Sequence, residues 1–327
     1  MAIASSLLMA IFTGYIPAVQ YLPYLPILLW NIANDQMKHM SYVSQSGFND
    51  TYDYVVIGAG SGGSVMASRL SEDQSVSVLL LEAGYAENFV SDVPEACLLL
   101  QKTPMDWAFE TTPQNKSCRG LDGQRMPWAR GKVMGGSSTL NAMIYVRGNP
   151  KDYENWAANG ATNWSWPDVF PYFIKSEDNK NQSYLASGYH GKGGPLTVTS
   201  AYAPRLSDFA FQDAGQCLGY PSGDVNGETQ SHFTITQRTI RDGKRCSVAK
   251  AYLETLAANR KNLKVLVNSY VTRIVFDNTK TATGVEFETN LVKHTVNVRK
   301  EVILSAGAIN SPKILVLSGL EWYHFVN

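Results

Sequence analysis

From Tyr52 onward, apolar and polar positions fall into regular runs. Tyr54-Val55-Val56-Ile57 is an apolar, β-branched run long enough for one buried strand, and a glycine cuts it off. Gly63, Met66, Ala67 and Leu70 then recur at i, i+3, i+4 and i+7, which predicts a helix. Val76 to Leu81 is a second buried run, and it ends on Glu82. Between the first strand and the helix, Gly58, Gly60 and Gly63 complete a G-x-G-x-x-G. The first glycine permits a tight turn, the second lets backbone approach a pyrophosphate, and the third lets the helix pack close to the strand. Strand, glycines, helix, second strand and terminal acid fall within about thirty residues, as a dinucleotide-binding βαβ unit requires. A carboxylate at Glu82 can accept ribose hydroxyls and disfavours a 2′-phosphate, which leaves FAD and NAD as alternatives.

Beyond Gly84 the regularity stops. Residues 85–127 are punctuated by Pro94, Pro104 and Pro113, with Trp107 and Phe109 among them, and read as a loop covering either cofactor or core. A second glycine-rich stretch occupies residues 129–149, where Gly135-Gly136-Ser137-Ser138 can turn several amides and hydroxyls toward one anion. Residues 151–190 are rich in Trp, Tyr, Asn and Asp, most of the aromatics suiting packing, and Asn163 to Asp168 has a helix-start pattern. His190, in a glycine-rich turn, is tempting as an acid or base but reads as structural or solvated. Next come an amphipathic helix over 206–218, an alternating strand over 233–240 and a helix over 245–260 with Ala249, Tyr252, Leu253 and Leu256 on one face. Four alternating runs, 263–267, 271–276, 284–288 and 294–298, suggest an antiparallel meander. Glu301 to Ala308 returns to a buried strand, and Ser311 as N-cap with Pro312 at N1 predicts a helix that Gly319 closes. Residues 54–57, 76–81 and 302–305 are expected side by side in one parallel sheet.

Composition narrows the partners. At 327 residues, 44% hydrophobic and 17% charged, the chain is an ordinary globular protein of about two domains. Its 28 basic and 28 acidic residues balance without a basic run, which argues against nucleic acid. Residues 2–34 carry no charge and resemble a secretory leader with a short apolar core near Leu7 to Phe12, although a basic n-region and an A-x-A site are missing. Export is the expectation and a membrane anchor the alternative; Pro17, Pro23 and Pro26 make a single spanning helix awkward. Residues 35–51 read as a polar linker. Cys97, Cys118, Cys217 and Cys246 show no metal spacing and leave disulfides or buried thiols open, and the sequons at Asn49, Asn115, Asn163 and Asn181 are compatible with export.

The stretch Arg130-Gly-Lys-Val-Met-Gly-Gly-Ser-Ser-Thr-Leu-Asn141, followed by Tyr145, Gly148 and Glu154, closely resembles the first signature of the glucose-methanol-choline (GMC) oxidoreductases. Residues 52 to about 320 resemble that family's N-terminal portion, most of all its insect glucose dehydrogenase branch. The resemblance implies an α/β fold, a Rossmann-like parallel sheet of the FAD/NAD(P)-binding type with a β-meander, plus a partial α+β substrate domain. It implies an FAD-binding domain over 52–150 and 240–320, a substrate domain over 151–239, and an atypical tail at 321–327. FAD is the implied cofactor, its ADP half held by Gly58, Gly60, Ser61, Gly63, Glu82 and Ala83. Gly135, Gly136 and Ser137 are implied at the phosphates, Asn141 and Ala142 at the flavin end, and the Val271 backbone at the adenine. The implied reaction is oxidation of a CH–OH group on a small alcohol or sugar, a histidine taking the proton while hydride passes to the flavin. In relatives that histidine and its partner lie beyond Leu320, and none of His39, His190, His232, His294 and His324 matches their motif; His232 stands where relatives usually have glycine. The chain as written is therefore expected to carry the cofactor half without the chemistry. A non-catalytic FAD-binding remnant and another two-domain FAD or NAD protein are the alternatives, and the absence of C-x-x-C after the first βαβ unit disfavours a disulfide reductase.

Overall fold

The computed structural model describes residues 25–200 and 206–320. The chain divides into two compact units, one made of residues 3–141 with 247–327 and the other dominated by residues 142–246.

In the first unit, β1 (Thr51–Ile57) leads through the glycine turn into α2 (Ser61–Leu70) and then β2 (Val78–Leu81). The element before them is α1 (Leu25–Ser41). After the second unit come β3 (Leu263–Leu266), β4 (Tyr270–Phe276), β5 (Ala282–Thr289), β6 (Val292–Leu304) and α3 (Gly307–Leu317). They build one sheet in the order β3-β2-β1-β6-β5-β4. The β3-β2-β1-β6 pairs are parallel and the β6-β5-β4 pairs antiparallel. This is the α/β architecture with a meander that the sequence implies. Alternation sends Val55, Ile57, Leu79 and Leu81 into one core and Val56, Val78, Leu80 and Val265 into the other, so both faces of the parallel strands are covered.

Leu266, Leu81, Ile57 and Leu304 are level in register, so four parallel strands end along one edge. The chain leaves β1 to pair with β2 on one side and returns as β6 on the other. In open α/β sheets such a switch point makes a crevice for ligands beyond the carboxyl ends of the strands.

Several expectations change in detail. Residues 263–266 pair parallel with β2 instead of opening the meander, because alternation identifies a strand but not its neighbour. The runs 294–298 and 302–304 belong to one thirteen-residue strand, whose register with β1 is irregular around Arg299, where the Arg299 side chain pairs with Asp53 at 2.9 Å. Helix α3 starts at Gly307, directly off the end of β6, leaving Pro312 inside it instead of at its first position. The helix over 245–260 reduces to a π-helical Ala249–Glu254 followed by turns.

In the second unit, helices Pro150–Ala158 and Trp166–Ser176 precede a small sheet of Glu177–Asn179, Leu196–Ser200 and Gln237–Arg238. The helix start expected over 163–168 is built at Ser165, whose hydroxyl and amide both donate to Asp168 Oδ2 at 2.5 and 3.1 Å. The expected strand over 233–240 forms only at Gln237–Arg238 and at Ile240–Arg241, which folds back on Lys244–Arg245. Gln237 there turns a buried amide to Asp224 and Asn179. Among the described residues no disulfide joins the four cysteines.

Helix α1 crosses the boundary expected between leader and linker, and residues 1–24 lie outside the described structure. His39 is buried, with Nδ1 3.1 Å from Glu254 Oε2 and Nε2 3.3 Å from Asp92 Oδ2, and Lys250 donates to Asp92 from the far side. Burial alone lowers the His39 pKa, but the hydrogen bonds to Asp92 and Glu254 and the nearby Glu87 charge outweigh it and raise it to about 9. The folded value lies above the unfolded 6.5, so this contribution is fully present below about pH 6.5 and is lost as pH rises through about 9. Hydrogen-exchange protection of α1 is expected to fall between about pH 7 and 10 while that of β1 persists; a parallel loss in both elements would contradict a local lock.

Candidate dinucleotide site

The crevice at the strand ends is a cleft of about 310 Å³ formed wholly by the first unit. Gly58, Gly60, Ser61, Glu82, Ala83, Gly136, Ser137 and Val271 all line it. The two glycine stretches, about 75 residues apart in sequence, touch here: Gly135 N–H donates to the Ala59 carbonyl at 2.8 Å. Gly136 has φ +55°, and a Cβ on it would come within 2.7 Å of Gly60 Cα, so the contact requires glycine.

Gly63 and Gly135 do not line the cleft; they shape it. A Cβ on Gly63 would lie 1.8 Å from the Gly58 carbonyl oxygen, which makes Gly63 the close-packing glycine of helix against strand. Gly60 is different: a Cβ there meets nothing nearer than 3.9 Å and would point into open space. Asn141 ends the short helix begun at Ser137 and donates its N–H to the Ser137 carbonyl at 2.9 Å. Ala142 opens the second unit. Neither lines the cleft.

Glu82 projects from the end of β2 and is buried. Its Oε2 accepts the Ala59 N–H at 2.8 Å and its Oε1 the Gly84 N–H at 2.9 Å. The carboxylate thus ties the glycine turn to the end of β2, while each oxygen retains a lone pair for a further donor. Burial raises its pKa to about 7 against the pull of those two amides and of Lys132.

Trp107, Phe109, Arg130, Tyr270 and Lys313 also line the cleft, and sequence reasoning did not assign them to it. The Trp107 and Phe109 rings stack at 5.8 Å, and Trp107 lies 6.1 Å from Tyr270. Lys313 Nζ donates to the Tyr270 hydroxyl at 3.3 Å. The segment 85–127 therefore contributes a wall to the cleft, a question its composition left open. Arg130, beside the glycines of the second stretch, and Tyr270, beside Val271, were signals close at hand, and Trp107 lay in a loop read as covering cofactor or core; Lys313 had no signal. The amino end of α3 contributes Gly307 to Asn310, so the cleft receives the amino ends of both α2 and α3, where free amides and the helix dipole favour an anion.

The remaining conspicuous histidine is elsewhere. His190, in the second unit, is buried with Nδ1 2.8 Å from Glu177 Oε1 and Nε2 2.6 Å from Asp224 Oδ2, and Glu177 also pairs with Arg147. It holds a structural network, as its turn context suggested.

A parallel sheet with a glycine turn, a helix amino end and an acid at the neighbouring strand end defines the class of dinucleotide-binding α/β proteins. The family model for GMC oxidoreductases matches residues 52–324, and the chain belongs to that family. It is 45% identical over 272 residues to glucose dehydrogenase [FAD, quinone] of Drosophila melanogaster, covering 82% of this chain and 43% of that protein. It is 43% identical over 281 residues to the mitochondrial choline dehydrogenase of Homo sapiens, covering 83% and 46% respectively. Among solved structures it is similar to pyridoxine 4-oxidase from Mesorbium loti, with a TM-score of 0.74, 35% identity and coverage of 83% of this chain and 52% of that one. The chain thus spans less than half the length of the two dehydrogenases.

Proposed function

We propose that this chain binds FAD and forms the cofactor-holding part of an oxidoreductase acting on the CH–OH group of a small alcohol or sugar. The observation that carries this reading is the convergence of both glycine stretches, Glu82 and Val271 on one cleft. The residues fit the cofactor: Gly60 leaves backbone open for a pyrophosphate, and Glu82 offers unused lone pairs for ribose hydroxyls. Gly58, Gly60 and Ser61 would hold the diphosphate with Gly136 and Ser137, supported from behind by Gly63 and Gly135. Glu82 and Ala83 would meet the ribose and Val271 the adenine, while Asn141 and Ala142 would lead toward the flavin. When bound, the flavin would supply the two-electron acceptor for hydride from the donor carbon. Similarity to dehydrogenases named for glucose and choline and to an oxidase named for pyridoxine supports a CH–OH donor, since each of those compounds carries one. Residues 151–239 would belong to the substrate side, and the uncharged residues 2–34 support an exported protein that retains them as a leader.

Flavin-fluorescence titration tests the assignment. Glu82→Ala is expected to weaken FAD binding by roughly 10- to 100-fold, the loss of charge-assisted hydrogen bonds of about 1.5–3 kcal/mol. Ribose hydroxyls donate to the ionised carboxylate, so wild-type affinity should rise as pH increases through about 7, and Glu82→Gln should flatten that rise. Wild-type affinity in both variants would refute the site.

A further inference from the structure

A helix on a protein surface ordinarily turns its apolar stripe inward and its polar face to water. Helix α1 departs from this rule, because much of its apolar surface faces outward. Its buried side chain is His39, held by Asp92 and Glu254, with half-buried Ile32 on the same side, while Gln36, at one edge of the outer face, donates to the Glu87 carbonyl at 3.2 Å. At about 100° per residue, Leu25, Pro26, Leu29, Trp30, Ala33, Met37 and Met40 fall on a single stripe roughly 140° wide. Every one of them is exposed, Trp30 by 65%, Met37 by 62% and Leu29 by 56%. The helix's acidic and basic side chains, Asp35 and Lys38, lie off that stripe. The seat is firm: Tyr42 and Val43 pack on the sheet's core, and Ser44 bonds to β3 in both directions, its N–H to the Val265 carbonyl and its carbonyl to the Val267 N–H, each at 2.9 Å.

We propose that this outer stripe is a membrane-interface surface on which the protein rests against a lipid bilayer. A contiguous exposed apolar patch marks an interaction site. The occupant follows from the chemistry on either side of the stripe. Residues 2–24, outside the described structure, carry no charged side chain and continue the stripe's apolar character in sequence, with Leu, Ile and Tyr prominent. Trp30 has the amphipathic ring that suits the headgroup level. No described helix is long and apolar enough to cross a membrane, so α1 lies along the surface, with its His39 side held by the protein. The absence of a basic cluster on the stripe makes the attraction apolar, so zwitterionic lipid suffices and salt has little effect. The inference does not depend on the flavin reading.

The test is flotation of the full chain with vesicles of phosphatidylcholine alone, at low salt and at 0.5 M salt. Wild type is expected to float under both conditions. Trp30→Glu with Met37→Glu should reduce the bound fraction at least about tenfold, whereas Leu98→Glu with Leu99→Glu, the same charge change at exposed leucines away from α1, should leave it unchanged. If the charged pair does not fold, Leu29→Ser with Met37→Ser is expected to weaken binding without adding charge. Failure of wild type to float, or equal flotation of the α1 variants and wild type, would overturn the proposal. So would a lipid-free dimer in sedimentation velocity that the α1 variants convert to monomer, because the stripe would then belong to a second copy.

Discussion

Glu177→Ala is expected to destabilise the second unit by about 3–5 kcal/mol, the cost of removing one partner from a buried ion pair. Glu177 and Arg147 are 0% and 1% exposed at their side chains. Glu177 also accepts from Asn179 Nδ2 at 2.9 Å and from the Gly191 N–H at 2.9 Å, and it faces His190. Its removal leaves the Arg147 guanidinium and the His190 ring in a dry interior without their shared carboxylate, with the Tyr189 carbonyl, the Tyr145 hydroxyl and Asp224 still in place. Burial alone would lower the His190 pKa, but hydrogen bonds to Asp224 and Glu177 raise it; burial alone would raise Glu177, but His190 and the Gly191 amide hold it low. The sign follows from both shifts. The histidine's contribution is complete below the unfolded 6.5 and is lost as pH rises through its raised value; the carboxylate's is complete above the unfolded 4.5 and is lost as pH falls through its lowered value. The network should therefore stabilise most between about pH 4.5 and 6.5. Urea denaturation of wild type, Glu177→Ala and Glu177→Gln would measure it, with the Gln variant intermediate. An unchanged midpoint for Glu177→Ala would show that the network contributes nothing net.

Gly63→Ala and Gly60→Ala should separate the fold from the site. At Gly63 the new methyl would meet the Gly58 carbonyl oxygen at 1.8 Å and Ser305 Cβ at 3.2 Å. Backbone cannot yield as a flexible side chain does, so α2 must lift away from β1 and the end of β6. That opens the core below Ala67, and the loss should exceed the ~1–3 kcal/mol typical of overpacking. At Gly60 the methyl would enter open space, so the unliganded protein should keep its denaturation midpoint while FAD affinity falls at least about tenfold. Equal destabilisation of both variants would contradict the division of labour between the two glycines. Unchanged affinity in Gly60→Ala would remove the pyrophosphate from this turn.

The local parts of this architecture were legible in the residues because each rests on short-range chemistry. A short apolar, β-branched run ended by glycine reads as a strand entering a turn, and Gly58-x-Gly60-x-x-Gly63 with Glu82 beyond has the β1–α2–β2 spacing that the structure builds. The helix start within residues 163–168 was readable for the same reason. What the residues did not decide was which distant segment each would meet. Leu263–Leu266 alternates as a meander strand would, yet it pairs parallel with β2, since ladder partners are chosen by long-range burial and not by pattern. Pro312 marked a helix start, but pairing of Leu304 with Ile57 fixed the end of β6 and so began α3 at Gly307, bringing its amino end to the cleft. Trp107 and Lys313 joined that cleft only through folding of segments far apart in the chain. Helix α1 depended on tertiary structure most of all: its residues read as the end of a leader and the start of a polar linker, and only the fold runs one helix across that boundary and buries His39 against Asp92 and Glu254.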